Sequence, residues 1–198
     1  MTDEVSVVRF GRWIFRNRGW LPIPVVLYAL HETRPLGVTT GLGITMMFLG
    51  QSIRFWGVAH MGPGARDREA NVRKLIYTGP YELSRNPLYI GNIIIFVGLG
   101  LATGGFKLAG LFLLMFVVYF NLMVRYEEYF LERRLGEIYR SYLNRVPRWL
   151  GESAPVHAAT PRGTLDDRAR MTLRLERTTM ATILIVTGLI VFRSLTMG

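Results

Sequence analysis

Long runs of apolar residues alternate with short polar and basic stretches along this chain of 198 residues. The apolar runs that predict membrane helices lie at about 20–31, 36–61, 88–103, 106–124 and 179–196. The first run is shorter than the roughly 20 residues that a helix needs to cross a bilayer. The sequence therefore leaves two alternatives for this run: a crossing, or an interfacial N-terminal helix followed by a re-entrant piece.

The third and fourth runs are joined by Thr-Gly-Gly at 103–105, and the stretch 125–150 follows them. Because adjacent glycines favour a tight turn, the two runs are predicted to form a helical hairpin. In the stretch that follows, apolar side chains recur at helical spacing, at Leu131, Leu135, Ile138 and Tyr142. We expect Gly136 to divide this helical stretch and Pro147 to end it.

The C-terminal part has a different pattern. Residues 151–163 contain two Gly, two Pro and three Ala residues and are typical of a linker. Thr164 followed by Asp167 predicts a helix start, with Asp in place of the usual Glu or Gln. From there one helix of roughly 32 residues, about 48 Å long at 1.5 Å per residue, can continue into the last apolar run.

Charge adds an orientation to this pattern. The chain has 24 Lys and Arg residues against 14 Asp and Glu residues, a net charge of +10, and 50% of its residues are hydrophobic. Twenty of the cations lie on one side of the apolar runs, which the positive-inside rule assigns to the cytoplasm (in a bacterium, the cytoplasmic face of the inner membrane). Because the cations flank apolar runs rather than lining one soluble face, nucleic-acid binding is disfavoured. The absence of cysteine excludes disulfides and a cysteine nucleophile.

These patterns predict an all-α, polytopic integral membrane bundle of about five transmembrane helices with a cytoplasmic helical segment. Residues 1–150 are expected to form the core, in which 125–150 is the cytoplasmic segment. Residues 151–198 are expected to add the linker and a long helix that is amphipathic at first and spans the membrane at its end. This last helix is expected to pack against the core or against a second copy of the chain, as a homodimer.

Arg85, Asn86 and Pro87 directly precede the third apolar run. Pro87 disfavours helical geometry at Asn86 and suits the first turn of the following helix. Arg85 and Asn86 therefore precede a helix N-terminus, where backbone N–H groups and the helix dipole favour an anion. In the first turns, Gly91 allows the close approach of a ligand or of a neighbouring helix. The alternative is a simple interfacial cap, with Tyr89 as a membrane-interface aromatic.

Two adjacent carboxylates, Glu127 and Glu128, are predicted to lie at the cytoplasmic end of the fourth run, whose helix is expected to continue through them. Charged groups at the membrane edge are costly unless they are paired or hydrated, so the two suggest a site for a cationic ligand or an amine. The alternative is a solvated helix face on which they pair with neighbouring arginines, at Arg125, Arg133 or Arg134.

Further arginines are expected on the same side of the membrane. Arg54, with Gln51 one turn before it, either extends its charged end to the membrane surface or holds an anionic headgroup or carboxylate. Arg145 and Arg148 flank Pro147 and suit the recognition of phosphate or carboxylate groups, or contact with lipid headgroups. The three histidines have no metal-ligand spacing, so no metal site is predicted.

The order of these motifs resembles the isoprenylcysteine carboxyl methyltransferase family, which belongs to a wider group with the phospholipid N-methyltransferases. The matching motifs are GQSIRFWGVAHMG, KLIYTGPYELSRNPLYIGN and, after the apolar hairpin, RYEEYFLERRLGEIYRSYLNRVPRWL, within about residues 47–150. The resemblance implies an integral membrane enzyme that transfers a methyl group from S-adenosylmethionine to a lipophilic acceptor. A non-catalytic membrane subunit that retains the same fold is the alternative.

By this resemblance, the start of the third run and the segment 125–148 form a cofactor pocket at the cytoplasmic face. The residues implied to contact the cofactor are Tyr81, Arg85, Asn86, Tyr89, Gly91, Glu127 and Glu128. Asn86 stands where the family usually has a histidine. Because asparagine donates and accepts hydrogen bonds but does not titrate near neutral pH, a cofactor contact survives this change and proton transfer does not.

The acceptor is left open between a prenylcysteine-like carboxylate and the amine of a phospholipid. A carboxylate needs no general base, and Arg54, Arg145 or Arg148 would hold it. An amine must first lose a proton, for which Glu128 is the candidate base. Either acceptor would reach the site from the membrane lipids.

Overall fold

The computed structural model describes residues 2–61, 75–151 and 165–197, with the backbone alone described for 2–9 and 165. Within these ranges the regular secondary structure is entirely α-helical. This confirms the all-α part of the predicted fold class. The helices are α1 (Thr2–Asn17), α2 (Ile23–His31), α3 (Val38–Met61), α4 (Pro80–Leu83), α5 (Pro87–Leu135), α6 (Glu137–Leu143) and α7 (Leu165–Thr196).

Helix α5 is a hairpin of two apolar arms rather than one straight rod. Its backbone leaves helical geometry at Gly105 (φ 71°, ψ −160°), a conformation that favours glycine because glycine has no Cβ. The rings of Phe96 and Phe116, one from each arm, stack with their centroids 3.7 Å apart. A Cβ added to Gly100 would lie 2.9 Å from the backbone nitrogen of Ala109 in the returning arm. The predicted glycine turn and helical hairpin are confirmed.

Helix α3 packs on the first arm of α5 through small residues of both helices. A Cβ added to Gly50 would lie 2.6 Å from the carbonyl oxygen of Gly91, and Gly43 faces Gly98 just as closely. Close backbone packing of this kind is typical of helices that associate in lipid. Gly91 thus faces a neighbouring helix, one of the two roles that the sequence allowed.

The Gly43→Ala variant is expected to melt about 5 °C below the wild-type protein. An added methyl group in a tight helix contact costs about 1–3 kcal/mol, and 1 kcal/mol corresponds to about 2–4 °C in a chain of this size. Gly41, on the same helix, has open space around it. Gly41→Ala is therefore the control and should leave the melting temperature unchanged or raise it, since alanine is the better helix former. Equal melting temperatures for the two detergent-purified variants would contradict this packing.

The N-terminal region forms two helices that differ from the predicted first span. Helix α1 packs on the second arm of α5, where Ile14 is buried and the Phe15 and Tyr126 ring centroids are 5.5 Å apart. Helix α2 has nine residues, about 14 Å at 1.5 Å per residue, which is short of the roughly 30 Å hydrocarbon core of a bilayer. The run predicted at 20–31 is helical over this shorter stretch because prolines at its start permit a first turn but no helix through them.

Among the residues that the structure describes, two helices, α5 and α7, are long and apolar enough to cross a membrane, judged by length and composition alone. They include three of the five predicted runs, namely the two arms of the hairpin and the last run. This pattern agrees with a helical membrane protein. The count of five spans stays a prediction.

The segment after the hairpin is divided at Gly136, as predicted, where φ is 56° between α5 and α6. Helix α6 ends at Leu143, and the chain continues as a turn to Val146. The helix thus ends before Pro147, as expected, about one turn ahead of the proline itself. Helical geometry is disfavoured directly before a proline, which explains the earlier end.

Helix α7 runs unbroken for 32 residues, as the sequence predicted. It packs against α3 along a face on which Ile183, Val186 and Ile190 are buried. The C-terminal helix therefore packs against its own core, one of the two expected arrangements, and the homodimer stays a prediction. Thr164, the predicted capping residue, lies outside the described residues, as does nearly all of the predicted linker.

Candidate active site

The segment before α5 and the segment after α6 are joined by hydrogen bonds. The backbone N–H of Arg85 donates to the carbonyl oxygen of Pro147 at 3.0 Å, and the Asn86 side-chain amide donates to that of Arg148 at 3.0 Å. Asn86 is the N-cap residue of α5, but its side chain does not cap the helix. Its own backbone N–H donates to Ser84 Oγ at 3.0 Å. The two segments that the resemblance placed around one pocket are thus in direct contact.

Glu128 lies at the centre of a buried charge cluster with two arginines. Its Oε1 is 3.0 Å from Arg85 Nη1, and its Oε2 is 2.6 Å from Arg148 Nη2 and 3.0 Å from Arg148 Nε. The Glu128 side chain is 10% exposed and that of Arg85 is 12% exposed, so water and salt screen the contact between them little, whereas the Arg148 side chain is 35% exposed. The alternative of a solvated face, on which Glu128 pairs with arginines of its own helix, is not what the structure shows.

Glu127 faces a different partner. The Tyr89 hydroxyl donates to Glu127 Oε2 at 2.7 Å, and the Tyr89 ring packs against Phe120 with centroids 5.2 Å apart. Tyr89 belongs to the first arm of the hairpin and Glu127 to the second, so this hydrogen bond ties the open end of the hairpin together. The two adjacent carboxylates therefore have separate partners, one neutral and one cationic.

Tyrosines of α6 hold α4 in place. The Tyr142 hydroxyl donates to the backbone oxygen of Tyr81 at 2.8 Å, and both residues are buried. Burial raises the pKa of Tyr142 and of its neighbour Tyr139, so both hydroxyls stay neutral at physiological pH. Tyr142 is therefore a fixed donor to Tyr81, which the resemblance implies as a cofactor contact.

Arg54 takes part in a second buried cluster. Its guanidinium contacts both oxygens of Glu176, with Nη2–Oε1 at 2.9 Å and Nε–Oε2 at 3.1 Å, and its Nη1 donates to Asn92 Oδ1 at 2.7 Å. Gln51 also donates to Glu176 Oε2, at 3.0 Å. Gly91 leaves room for this arrangement, since a Cβ there would lie 2.6 Å from Arg54 Cγ. Arg54 thus faces the bundle interior rather than the surface, and it joins α3, α5 and α7.

Sequence reasoning missed Glu176 and Asn92. A signal existed for Glu176, which stands seven residues before Ile183 and so shares the buried face of α7. No sequence signal marks Asn92 as more than a polar residue within an apolar run. The pairing of Glu128 with Arg85 and Arg148 was also missed, because the three residues come from segments that are far apart in the chain.

Arg145, the other predicted anion-binding residue, is exposed and does not contact Glu128 in the described structure. It lines a cavity of about 510 Å³ with residues of α6 and of the segment 75–77. Within the three described ranges, no group of three His, Asp or Glu side chains lies close enough to hold a metal ion.

The chain is thus a helical protein in which an apolar hairpin carries an Arg–Glu cluster at its open end. Residues 38–138 match the family model of the phospholipid methyltransferases. Since this match covers half of the chain, the protein belongs to the phospholipid methyltransferase family. Family membership points to a membrane methyltransferase, and the resemblance inferred from the motifs is confirmed.

Three curated relatives match parts of the chain. The nickel-cobalt-cadmium resistance protein NccN of Alcaligenes xylosoxydans xylosoxydans is 34% identical over 106 residues, which cover 54% of this chain and 45% of that protein. The cobalt-zinc-cadmium resistance protein CzcN of Cupriavidus metallidurans is 31% identical over 114 residues, 57% of this chain and 48% of that protein. The protein-S-isoprenylcysteine O-methyltransferase B of Arabidopsis thaliana is 29% identical over 112 residues, 54% of this chain and 57% of that protein.

The chain thus spans about half the length of the curated relatives that it matches. No solved structure shows a significant match to it.

Proposed function

We propose that this chain is an integral membrane methyltransferase that uses S-adenosylmethionine to methylate a lipophilic acceptor at the cytoplasmic membrane face. The buried Arg85–Glu128–Arg148 cluster carries the proposal, because it joins the start of the hairpin, its end and the segment after α6. The family match and the relative named as a methyltransferase support the reaction class. The two long apolar helices support the placement in a membrane.

The cluster suits the amino-acid part of S-adenosylmethionine, which carries a carboxylate and an ammonium group. Arg85 Nε is buried and has no hydrogen-bond partner among the described residues. Leaving such a donor unsatisfied costs about 1–3 kcal/mol, so a ligand carboxylate would be a favourable partner. Glu128 Oε1 is buried without a hydrogen bond of good geometry and would accept from an ammonium. When bound, the cofactor supplies an activated methyl group on a sulfonium.

The chain's own part in the reaction is to position the reactants and to exclude water. The Tyr89–Glu127 hydrogen bond holds the two arms together at the open end of the hairpin. The hydrogen bonds from Arg85 and Asn86 hold the segment after α6 against the same end. A pocket at this place would have to meet water on one side and lipid on the other, because the proposed cofactor is water-soluble and the proposed acceptor is lipophilic.

Charge balance favours a phospholipid amine as the acceptor. Arg54 and Arg148, two of the residues predicted to hold a carboxylate, each face a buried glutamate already. An incoming carboxylate would displace one of these glutamates, and a buried charge left unpaired costs about 3–5 kcal/mol. An amine does not compete for the arginines, and Glu128 is the residue that would take its proton. A prenylcysteine-like carboxylate is the alternative.

The Glu128→Gln variant separates the two acceptors. With an amine, methyl transfer is expected to fall by at least about 100-fold beyond any loss of cofactor affinity, because the proton acceptor is lost as well as a contact to the cofactor ammonium. With a carboxylate, the variant should mainly weaken cofactor binding. The measurement is the transfer of labelled methyl groups to phosphatidylethanolamine and to a prenylcysteine in proteoliposomes, with the exposed Glu137→Gln as the control. Folded wild-type protein that methylates neither acceptor and binds no cofactor would favour the non-catalytic subunit.

A further inference from the structure

A second cavity, of about 370 Å³, lies between α1 and the end of α5. Three arginines and three aromatic residues line it, namely Arg12, Tyr126, Tyr129, Phe130, Arg133 and Arg134. Of these described lining residues, none is acidic. The cavity therefore combines positive charge with aromatic walls.

This cavity is separate from the candidate active site. Residues of an α-helix turn by about 100° each, so Glu128 points roughly 160° away from both Tyr126 and Phe130 around the axis of α5. The cavity and the Arg85–Glu128–Arg148 cluster thus lie on opposite faces of the same helix. A ligand in the cavity would not occupy the place proposed for methyl transfer.

The guanidinium groups in the cavity are arranged to bind an anion. Arg12 lies 5.8 Å from the ring centroid of Tyr126, and Arg133 lies 4.9 Å from that of Tyr129. Both arginines are exposed, and neither forms an ion pair with a carboxylate in the part of the chain that the structure describes. A guanidinium packed on an aromatic face keeps its N–H groups at the edge of its plane, where they match the oxygens of a phosphate.

The expected position of the cavity relative to the membrane indicates the source of the anion. Helix α1 exposes Phe10 and Trp13, whose rings stack with centroids 6.0 Å apart, and it also exposes Arg16. Exposed aromatic and basic residues on one helix are typical of helices that lie in a membrane interface. Tyr126 lies just beyond the predicted end of the fourth apolar run, at 124, where aromatic residues meet the lipid headgroups. The cavity is therefore expected at headgroup depth.

We propose that this cavity binds the phosphate group of an anionic phospholipid, as a lipid site distinct from the acceptor site. Arg12 and Arg133 bind the phosphate oxygens, and the aromatic walls contact the glycerol and the first part of the acyl chains. These apolar contacts favour a lipid over a water-soluble phosphate. The assignment depends on the membrane placement but not on methyl transfer, so it stands even if the chain is not an enzyme.

The test is the titration of dioctanoyl-phosphatidylglycerol into the detergent-purified full chain, followed by calorimetry. Saturable binding is expected, and the Arg12→Gln/Arg133→Gln variant should bind about 30-fold more weakly, since each arginine near an anionic lipid contributes about a factor of five. Arg16→Gln/Arg125→Gln is the matched control, because it removes one exposed arginine from each of the same helices outside the cavity. This control should bind as the wild-type protein does.

Three results would overturn the assignment. Equal weakening by both double variants, with unchanged circular dichroism, would show a general charge effect rather than a site. Equally tight binding of dioctanoyl-phosphatidylcholine would exclude selectivity for an anionic headgroup. Displacement by glycerol 3-phosphate at the same concentration would identify a water-soluble phosphate as the ligand. Failure of glycerol 3-phosphate to compete supports the lipid.

Discussion

The Glu176→Ala variant is expected to melt about 10 °C below the wild-type protein, because it leaves the Arg54 guanidinium buried without its carboxylate. Breaking a buried ion pair on one side costs about 3–5 kcal/mol, and 1 kcal/mol corresponds to about 2–4 °C here. The Arg54 side chain is 8% exposed and that of Glu176 is 0% exposed, so little water can replace the lost partner. Thermal unfolding in detergent measures the effect. Glu132→Ala removes a partner of the exposed Arg140 and, as the control, should shift the melting temperature by less than about 3 °C.

A double replacement tests whether the unpaired charge is the cause. Arg54→Met combined with Glu176→Met removes both charges and is expected to recover most of the lost stability. A double variant as unstable as Glu176→Ala would contradict the explanation. Its activity also tests the predicted role of Arg54. Recovered stability with lost methyl transfer would support an acceptor contact, whereas recovery of both would make Arg54 a structural residue.

The kcat/KM of the Arg85→Ala variant for methyl transfer is expected to fall by about 100- to 10,000-fold. Two charge-assisted contacts are at stake, one to Glu128 and one from the unsatisfied Nε to the cofactor, and each is worth about 1.5–3 kcal/mol. The assay is methyl transfer in proteoliposomes. Arg125→Ala, which removes an exposed arginine of the second arm, is the control and should retain activity. Near-normal activity of Arg85→Ala would contradict a role in the site.

A lysine at the same position adds a second readout. Arg85→Lys keeps the positive charge but lacks the planar fork that can contact Glu128 and a ligand at once. We therefore expect a partial rescue, with activity between those of Arg85→Ala and the wild-type protein. Full activity of Arg85→Lys would show that charge alone is needed at this position.

The parts of the fold that depend on local sequence could be predicted. The hairpin follows from two apolar runs around adjacent glycines, and the division at Gly136 and the unbroken α7 follow from equally local signals. An N-terminal helix was predicted only as one of two alternatives. Its apolar stripe is short, and its packing role is visible only in the tertiary structure, where Ile14 is buried against α5. The early end of α6 depends on a turn before Pro147 that apolar spacing does not report.

The members of the candidate site could be identified from the sequence, but their partners could not. Arg85, Glu128 and Arg148 were each singled out as charged residues beside apolar segments, and local spacing paired Glu128 with the wrong arginines. The correct pairing requires the loop before α5 and the segment after α6 to meet, which is a tertiary contact. The pairing of Glu176 with Arg54 was even harder to predict, because the two residues lie on helices that are far apart in the chain.

The central claim is that the Arg85–Glu128–Arg148 cluster forms the cofactor site. The most direct test is the calorimetric titration of S-adenosylhomocysteine into the detergent-purified protein with lipid restored, beside Arg85→Ala. The account predicts saturable binding to the wild-type protein, with a Kd on the order of micromolar, and at least a tenfold loss in the variant. Folded wild-type protein that binds no S-adenosylhomocysteine, or a variant that binds it equally well, would contradict the account.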